Sequence, residues 1–279
     1  MKRHFNCVTT LAQERKIIRQ YLSGDSTGII AKTYKLKSHV TVLHILKANG
    51  IPSRSRHDSM VGLQNAKKYN INQDFFKIIN SEAKAYYLGL LFADGWIRQD
   101  GLVGLCSTDK ELIIGFVNAI KSNHPITSKI PPKGQLLYSI SFGCKKMAKD
   151  LFDHGCVPAK SHILRPPINV PDKLMRHFIR GYFDGDGCIR KTARFGFCGT
   201  KAMLEFISQW LVKNAEMPIA TIHPHAKIFR IEYAGRISLL KFNLSIYKNS
   251  RIYLHRKAKM IFEEYPHYKT MIPEKFRSR

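Results

Sequence analysis

The sequence contains an internal duplication, which constrains the fold more than any other feature. The segment ADGWIRQDGLVGLCST (93–108) aligns with GDGCIRKTARFGFCGT (185–200) at a constant offset of 92 residues, and Asp, Gly, Ile, Arg, Gly, Cys and Thr coincide. A unit of this length, present in only two copies, is too long to be the repeat of a solenoid protein. The duplication therefore predicts two similar half-domains related by a pseudo-twofold axis.

Each copy predicts the same order of elements. An apolar helix comes first, in SEAKAYYLGLLFADG and in PDKLMRHFIRGYFDGDG, and later helices are expected at 109–121 and 201–214. RFGFCG shows the period-two alternation of a strand with one buried face. The expected strands are 96–100, 102–107, 126–130 and 136–142 in the first copy, and 188–191, 194–199, 218–223 and 227–233 in the second. The predicted fold class is α+β, with two αββαββα units whose antiparallel sheets cover one face with helices and offer the other to a partner.

Small residues recur at a spacing of four in the two opening helices. Gly89 and Ala93 share one helical face, as do Gly181 and Gly185. Such a face lets two helix backbones approach closely, so the two repeats are expected to meet helix against helix. The Gly that follows each helix, at 95 and 187, is expected to adopt a left-handed capping conformation.

Two carboxylates then lie at the two helix C-termini. Asp94 and Asp186 are the last residues of the opening helices, so they are expected to lie side by side. A helix C-terminus carries partial negative charge, and the two acids repel each other. This location requires a cation, and Mg²⁺ is the natural choice because it is held by few carboxylates and binds phosphate oxygens.

The charge of the chain points to a polyanionic partner. Lys and Arg number 46 against 20 Asp and Glu, which gives a formal net charge of +26, and the basic residues are spread along the whole sequence. Nucleic acid is the leading candidate, and a membrane surface is the weaker alternative. The longest apolar stretch, 85–93, is far shorter than a membrane span, and the start MKRHFNCVTT lacks a signal-peptide core, so a cytoplasmic protein is expected.

The first 56 residues predict a separate small domain. Apolar positions at helical spacing mark three short helices, with Ser26 and Ser38 as N-caps. This is a helix-turn-helix pattern, and Arg54 and Arg56 in PSRSRH could follow a DNA groove edge. A helical packing domain with a basic face is the alternative. The predicted organisation is a helix-turn-helix domain (1–56), a linker (57–72), a first repeat (73–170) and a second repeat (171–279).

The motifs resemble a known family. YLGLLFADG (87–95) and IRGYFDGDG (179–187) are similar to the two motifs of monomeric, double-motif LAGLIDADG homing endonucleases, particularly phage-type members, and YLHRK (253–257) is similar to their C-terminal signature. The resemblance implies a saddle over double-stranded DNA with a long asymmetric target site. It also implies a monomer that acts in a bacterial or phage-infected host, at the nucleoid.

The resemblance also implies a set of catalytic residues. Asp94 and Asp186 would bind two or more divalent ions such as Mg²⁺, with Ala93 and Gly185 beside them in the metal site. Lys257, and less strongly Lys160, match the basic residues that stabilise charge on the phosphate. By alignment the first-repeat counterpart of Lys257 falls near Pro167, which predicts an asymmetric pocket.

Asp184 departs from this symmetry. It occupies a motif position that is Phe92 in the first repeat, which argues against a symmetric catalytic role and favours helix packing or a local hydrogen bond. Sequence recognition is expected from side chains on the open sheet faces in the major groove. The candidates are Arg98, Arg190, Lys191, Arg194, Lys129, Lys133, Lys227 and Arg230.

The acidic motif FDGDG is also similar to motifs of other protein classes. FDGDG resembles the nucleophile motif of haloacid-dehalogenase phosphatases, but that motif follows a strand, whereas LMRHFIRGY has helical periodicity. A Ca²⁺ loop is disfavoured because Ile189 stands where the turn glycine belongs. The serious alternative is a LAGLIDADG-fold DNA-binding regulator or intron-splicing RNA maturase that does not cleave. The presence of both Asp94 and Asp186 favours a nuclease.

Overall fold

A computed structural model describes residues 9–54, 69–132 and 134–262. The chain divides into two compact units, Met1–Lys68 and Tyr69–Arg279. The predicted linker, 57–72, lies largely outside the described residues. Its last part belongs to the second unit, where the amide of Asn72 donates to the carbonyl of Ile120 at 2.8 Å.

Within its described residues, 9–54, the first unit is a bundle of three helices, as its apolar spacing predicts. The helices are α1 (Leu11–Leu22), α2 (Thr27–Thr33) and α3 (His39–Ala48). Side-chain caps fix where they begin: Thr10 makes a reciprocal capping box with Gln13, and Ser26 and Ser38 cap α2 and α3. The buried apolar side chains of its described residues, which form a core of their own, are Ile17, Tyr21, Ile30, Ala31, Val42, Ile45 and Leu46.

The second unit contains two copies of the predicted αββαββα order, which confirms the α+β fold class. The first repeat consists of α4 (Glu82–Asp94), β1 (Gly95–Ile97), β2 (Leu102–Ser107), α5 (Lys110–Ala119), β3 (Thr127–Lys129), β4 (Leu137–Gly143) and α6 (Lys145–Asp153). The second consists of α7 (Asp172–Asp186), β5 (Gly187–Arg190), β6 (Arg194–Gly199), α8 (Lys201–Ala215), β7 (His223–His225), β8 (Ile228–Ala234) and α9 (Arg236–Ile246). A further helix, α10 (His255–Phe262), follows the second repeat.

The two sheets have the same topology. Their strand orders are β1-β2-β4-β3 and β5-β6-β8-β7, and all pairs are antiparallel. Alternation along the strands sends one set of side chains to the helices: Val103 pairs with Phe142 and Phe197 with Ile231, and all four are buried. Among the described residues, the helices of each repeat leave the opposite face of its sheet uncovered.

Close contact between α4 and α7 joins the two repeats. A Cβ atom added at Gly89 would lie 2.0 Å from the carbonyl oxygen of Phe178, and one added at Gly181 would lie 1.9 Å from that of Tyr86. A Cβ at Gly185 would lie 2.4 Å from the Cβ of Ala93. The two backbones are therefore in direct contact, which no larger residue at positions 89 and 181 would permit.

The predicted left-handed caps at Gly95 and Gly187 are wrong. Both residues are extended, with φ of −84° and ψ of 166° and 153°, and each begins the strand that follows its helix. Glycine is required there for space: an added Cβ would lie 2.6 Å from the Leu91 side chain at position 95 and 2.2 Å from the Phe183 ring at position 187. The chain thus passes from helix to strand without a turn.

The predicted strand at 218–223 is also wrong in its position. The strand that pairs with β8 is His223–His225, with His225 opposite Ile228. A two-residue turn joins them, and Ala226 adopts a left-handed conformation with φ of 51°. Of the residues before this strand, Ile219 is 83% exposed, whereas Ala220 and Ile222 pack against the core.

Membrane spans are absent from the part of the chain that the structure describes. None of its helices combines the length and the apolar character that crossing a bilayer requires.

Replacement of Gly181 by alanine is expected to destabilise the second unit, because the added methyl group overlaps the Tyr86 carbonyl. Overpacking of this kind costs roughly 1–3 kcal/mol or more, which urea unfolding can measure. Gly143→Ala is the matched control, since a Cβ at Gly143 has no neighbour within 4 Å. Equal stability of the two variants would contradict the close helix contact.

Candidate metal and nucleic-acid site

Two carboxylates lie where α4 and α7 end. Asp94 and Asp186 are the last residues of these helices, and both are half-buried. The side chain of Asp94 lies against α7, since a Cβ added at Gly185 would be 3.2 Å from its Oδ2. Among the described residues, neither carboxylate accepts a hydrogen bond. The pair is therefore partly removed from water without neutral partners.

This environment disfavours the ionised forms. Burial, and next to it the negative charge of Asp186, raises the pKa of Asp94 to about 6, although Lys257 and Lys160 act in the opposite direction. Burial also raises the pKa of Asp186, again opposed by Lys160 and Lys257. Two poorly hydrated carboxylates at one place have a high affinity for positive charge.

Lys257 supplies positive charge at the end of α7. Its side chain is 2% exposed, and its ammonium donates to the carbonyl oxygens of the last turn of α7 and of the residue after it. These acceptors are Phe183 (2.6 Å), Asp184 (2.9 Å), Gly185 (3.4 Å) and Gly187 (2.6 Å). Burial lowers the pKa of Lys257 to about 8. The ammonium satisfies carbonyls that a helix leaves unpaired at its C-terminus.

Lys160 takes the corresponding place at the end of α4. It begins a short 3₁₀ helix, Lys160–His162, and its Nζ donates to the carbonyl of Ala93 at 2.5 Å. Ala93 is the repeat equivalent of Gly185. The prediction that the counterpart of Lys257 lies near Pro167 is wrong in position, because Lys160 makes the corresponding carbonyl contact. The two halves are nevertheless unequal, since Lys257 contacts four carbonyls and Lys160 contacts one. The two lysines are 97 residues apart, because the segments that follow the two repeats differ in length.

The carbonyl oxygens of Ala93 and Gly185 therefore accept hydrogen bonds from the ammonium groups of Lys160 and Lys257. The sequence predicted both residues as members of the metal site, but in this structure the cation at each of these oxygens is a lysine. The requirement for positive charge at the two helix ends is met in part by the chain itself. In the part of the chain that the structure describes, the carboxylates of Asp94 and Asp186 remain without a hydrogen-bond partner.

Asp184 has a different environment from Asp186. It is 2% exposed and accepts hydrogen bonds from the hydroxyl of Tyr86 (2.7 Å), the hydroxyl of Tyr247 (2.9 Å) and the amide of Leu254 (2.8 Å). Its repeat equivalent, Phe92, is fully buried. Asp184 is thus a satisfied internal acceptor and has no free oxygen to offer a ligand.

Several predicted DNA-contacting residues share the uncovered sheet faces. Strand alternation and register put Lys129 on that face of the first sheet, and Arg190, Arg194 and Arg230 on that face of the second. Arg98 directly follows β1, and its amide donates to the carbonyl of Leu102 at the start of β2. Lys191 and Lys227 lie in the turns β5–β6 and β7–β8 and are exposed. Acids moderate the charge: Arg98 pairs with Asp100 at 2.8 Å, and Arg190 and Arg230 are each 3.8 Å from Glu232.

Three predicted DNA-contacting residues remain. Lys133 and Arg56 lie outside the described residues. Arg54 packs over the ring of Tyr21 at 4.1 Å, and its guanidinium donates to the carbonyls of Tyr21 and Gly24 at the end of α1. These contacts attach the guanidinium of Arg54 to the end of α1, and its contact with a DNA groove edge stays a prediction.

Two thiols that the sequence indicates to be buried or idle interact electrostatically with the carboxylates, Cys106 with Asp94 and Cys198 with Asp186. Cys106 and Cys198 are repeat equivalents on the uncovered sheet faces. Burial raises the pKa of both thiols, and Asp94 raises that of Cys106 further. Equivalent residues in a pseudo-symmetric pair occupy equivalent sites. The coincidence of the two cysteines in the duplicated segment therefore indicates that both lie at the same place in their repeats.

Comparisons with known proteins found structural neighbours only. No protein-family profile matches the chain, and no curated protein matches it. The homing endonuclease I-WcaI bound to its DNA recognition sequence aligns with a TM-score of 0.47 and 13% identity, over 68% of this chain and 92% of that one. LAGLIDADG meganuclease I-AabMI bound to uncleaved DNA gives 0.45 and 13%, over 69% and 91%. Full-length DUF199/WhiA from Thermatoga maritima gives 0.46 and 13%, over 73% and 67%.

Replacement of Asp94 by asparagine is expected to stabilise the metal-free protein at neutral pH. Because the folded-state pKa is raised to about 6 from an ordinary value of 3.8, ionisation of Asp94 costs stability, and that cost grows as pH rises between these values. In melts with EDTA, the gain in Tm should be small near pH ~4 and largest above pH ~7. Asp153→Asn, at an exposed site, is the control. A gain that does not change with pH would contradict the raised pKa.

Proposed function

We propose that this chain is a site-specific endonuclease that hydrolyses double-stranded DNA with the help of a divalent cation, as a monomeric, phage-type homing endonuclease does. The observation that carries the proposal is the pair of carboxylates, Asp94 and Asp186, at the ends of two abutting helices and without hydrogen-bond partners in the described chain. A protein that only binds polyanions gains nothing from two uncompensated acids at the centre of a basic surface.

The donor set fits Mg²⁺. Among the described residues, no group of three or more His, Cys, Asp or Glu side chains could hold a metal, which excludes a closed structural site there. Mg²⁺ instead keeps several waters and needs only one or two carboxylates together with substrate phosphates. Asp94 and Asp186 would hold it, and when bound it supplies Lewis-acid stabilisation and activates water for attack on phosphorus.

The chain's own residues do the rest. Lys160 and Lys257 hold the helix ends in place and put positive charge beside the carboxylates, where negative charge develops on the phosphate. The cations on the uncovered sheet faces contact phosphates and base edges, and thereby fix the register of the duplex. Two half-sites with different side chains fit a long asymmetric target.

The three-helix unit is proposed as a second DNA-binding element. Exposed basic residues lie on its helices, among them Arg15, Lys16 and Arg19 on α1 and Lys47 on α3. Such residues would contact phosphates beyond the target sequence that the sheets bind. The whole protein would act on DNA in the cytoplasm of a bacterial or phage-infected cell, at the nucleoid.

A non-cleaving DNA-binding regulator or RNA maturase of the same fold is the alternative. One observation favours it: two lysines already provide cations at the helix ends, so the fold itself has less need of a metal. The carboxylates weigh against this alternative, because their burial is destabilising unless a bound ligand offsets the lost hydration. The two functions differ in whether DNA is cut.

Cleavage can be tested without knowledge of the target. A plasmid library with randomised inserts is incubated with the full-length protein and Mg²⁺, and the ends produced are sequenced. The proposal predicts cuts confined to a family of related sites and dependent on the cation. Binding of selected inserts without cleavage would support the regulator instead.

Asp94→Asn and Asp186→Asn are each expected to abolish cleavage of a selected site while retaining binding. Loss of several kcal/mol of charge stabilisation corresponds to at least roughly a hundredfold lower rate. Single-turnover assays and gel-shift titrations measure the two properties. Lys201→Asn, at an exposed position outside the site, is a surface control. Wild-type cleavage by both aspartate variants would refute the metal-site assignment.

Removal of residues 1–56 is expected to weaken binding to long DNA and to reduce the dependence of affinity on salt. Each lost phosphate contact lowers the slope of log K against log salt by about 0.9. Fluorescence anisotropy over a salt series measures both. The remaining unit has its own core, and equal slopes for the two proteins would reject DNA binding by the three-helix unit.

A further inference from the structure

The segment that carries Lys257 contacts both α4 and α7, the two interface helices, at Glu82, Arg180 and Asp184. We define the strap as residues 246–257, from the last residue of α9 into α10. It has little regular structure before residue 255, yet it delivers a nearly buried ammonium to four carbonyls at the end of α7. Something must therefore hold the strap in register with the helix.

Asp184 provides one part of this attachment. Two of its three hydrogen-bond donors, the hydroxyl of Tyr247 (2.9 Å) and the amide of Leu254 (2.8 Å), belong to the strap. The third, the hydroxyl of Tyr86 (2.7 Å), belongs to α4 in the other repeat. The carboxylate of Asp184 thus joins the strap to both interface helices. Its strap partner Leu254 lies three residues before Lys257.

Arg180, one turn earlier on α7, provides the other part. It is fully buried, and it donates to the strap carbonyls of Ile246 (2.8 Å) and Ile252 (2.7 Å). Its charge is balanced by Glu82 on α4, at 2.6 Å. The same Glu82 oxygen accepts from the strap amides of Arg251 (2.8 Å) and Ile252 (3.2 Å).

The first repeat lacks this arrangement. The residues equivalent to Arg180 and Asp184 are Leu88 and Phe92, both fully buried, and Phe92 packs edge-on against Phe178 with ring centres 5.0 Å apart. The lysine of that half, Lys160, makes a single carbonyl contact. The repeat with charged docking residues is the one whose lysine is held by four carbonyls.

We propose that Asp184 and Arg180 are positioning residues: they dock the strap so that the Lys257 ammonium stays on the final carbonyls of α7 beside Asp94 and Asp186. The role of Lys257 in cleavage rests on the proposed function, whereas the docking of the strap does not. Asp184 therefore acts on the site through the strap and Lys257, without contacting the metal or the DNA.

The test is the accessibility of individual lysines in the full-length protein. Amine acetylation followed by mass spectrometry gives a labelling rate for each lysine, with Lys160 as an internal reference. In Asp184→Asn, Lys257 should label about tenfold faster or more, since a hydrogen bond to a buried charged group is lost, while the rate at Lys160 stays unchanged. Asp153→Asn makes the same chemical change at an exposed site and should alter neither rate.

A second variant keeps the proposal testable if Asp184→Asn fails to fold. Tyr247→Phe retains the carboxylate and removes one strap hydrogen bond, so it should raise labelling of Lys257 by a smaller factor. Circular dichroism and thermal melts establish that each variant is folded. Unchanged labelling of Lys257 in a folded Asp184→Asn protein, or an equal rise at Lys160, overturns the proposal.

Cleavage of a library-selected site gives a readout that separates the two proposals. With strap docking disturbed, single-turnover cleavage at saturating protein should slow while the Kd for DNA is unchanged. If the wild-type protein does not cleave, but Lys257 becomes accessible in Asp184→Asn, the proposed function fails and the positioning role stands. If cleavage slows without a change in labelling, the positioning role fails.

Discussion

The direct backbone contact between α4 and α7 is the constraint on which the rest of the structure depends. Gly89 and Gly181 remove the side chains that would keep the helices apart, and the same contact runs on to Ala93 and Gly185. It brings the C-termini of two helices to one place, and with them Asp94 and Asp186. It also sets the two sheets on either side of that place, since each sheet begins at the residue after its helix.

Concentrating negative charge in this way is unfavourable, and the chain resolves the problem differently at each acid. Asp184 lies in the core, where three hydrogen bonds satisfy its carboxylate. The helix-end carbonyls receive ammonium groups from Lys160 and Lys257. Asp94 and Asp186 have raised pKa values and, among the described residues, no hydrogen-bond donors, which agrees with the cation site proposed for them.

The two repeats and the contact between their opening helices could be predicted from the sequence, because both follow from the duplication. The constant offset identifies the repeats, and the spacing of small residues predicts that the opening helices touch. The offset fails for Lys160 and Lys257, which lie in segments of unequal length outside the duplicated stretch. Gly95 and Gly187 were misread as caps because a glycine that avoids a steric clash and one with positive φ look alike in a sequence. The docking role of Arg180 depends on partners up to 98 residues away, beyond the reach of local patterns.

The shared site can be tested directly by Mn²⁺ titration followed by electron paramagnetic resonance, with Mn²⁺ standing in for Mg²⁺. If Asp94 and Asp186 hold one cation together, each single asparagine variant should weaken binding by at least about tenfold, and the double variant should be little worse than either single one. Wild-type affinity in both single variants would show that the two carboxylates do not form a metal site.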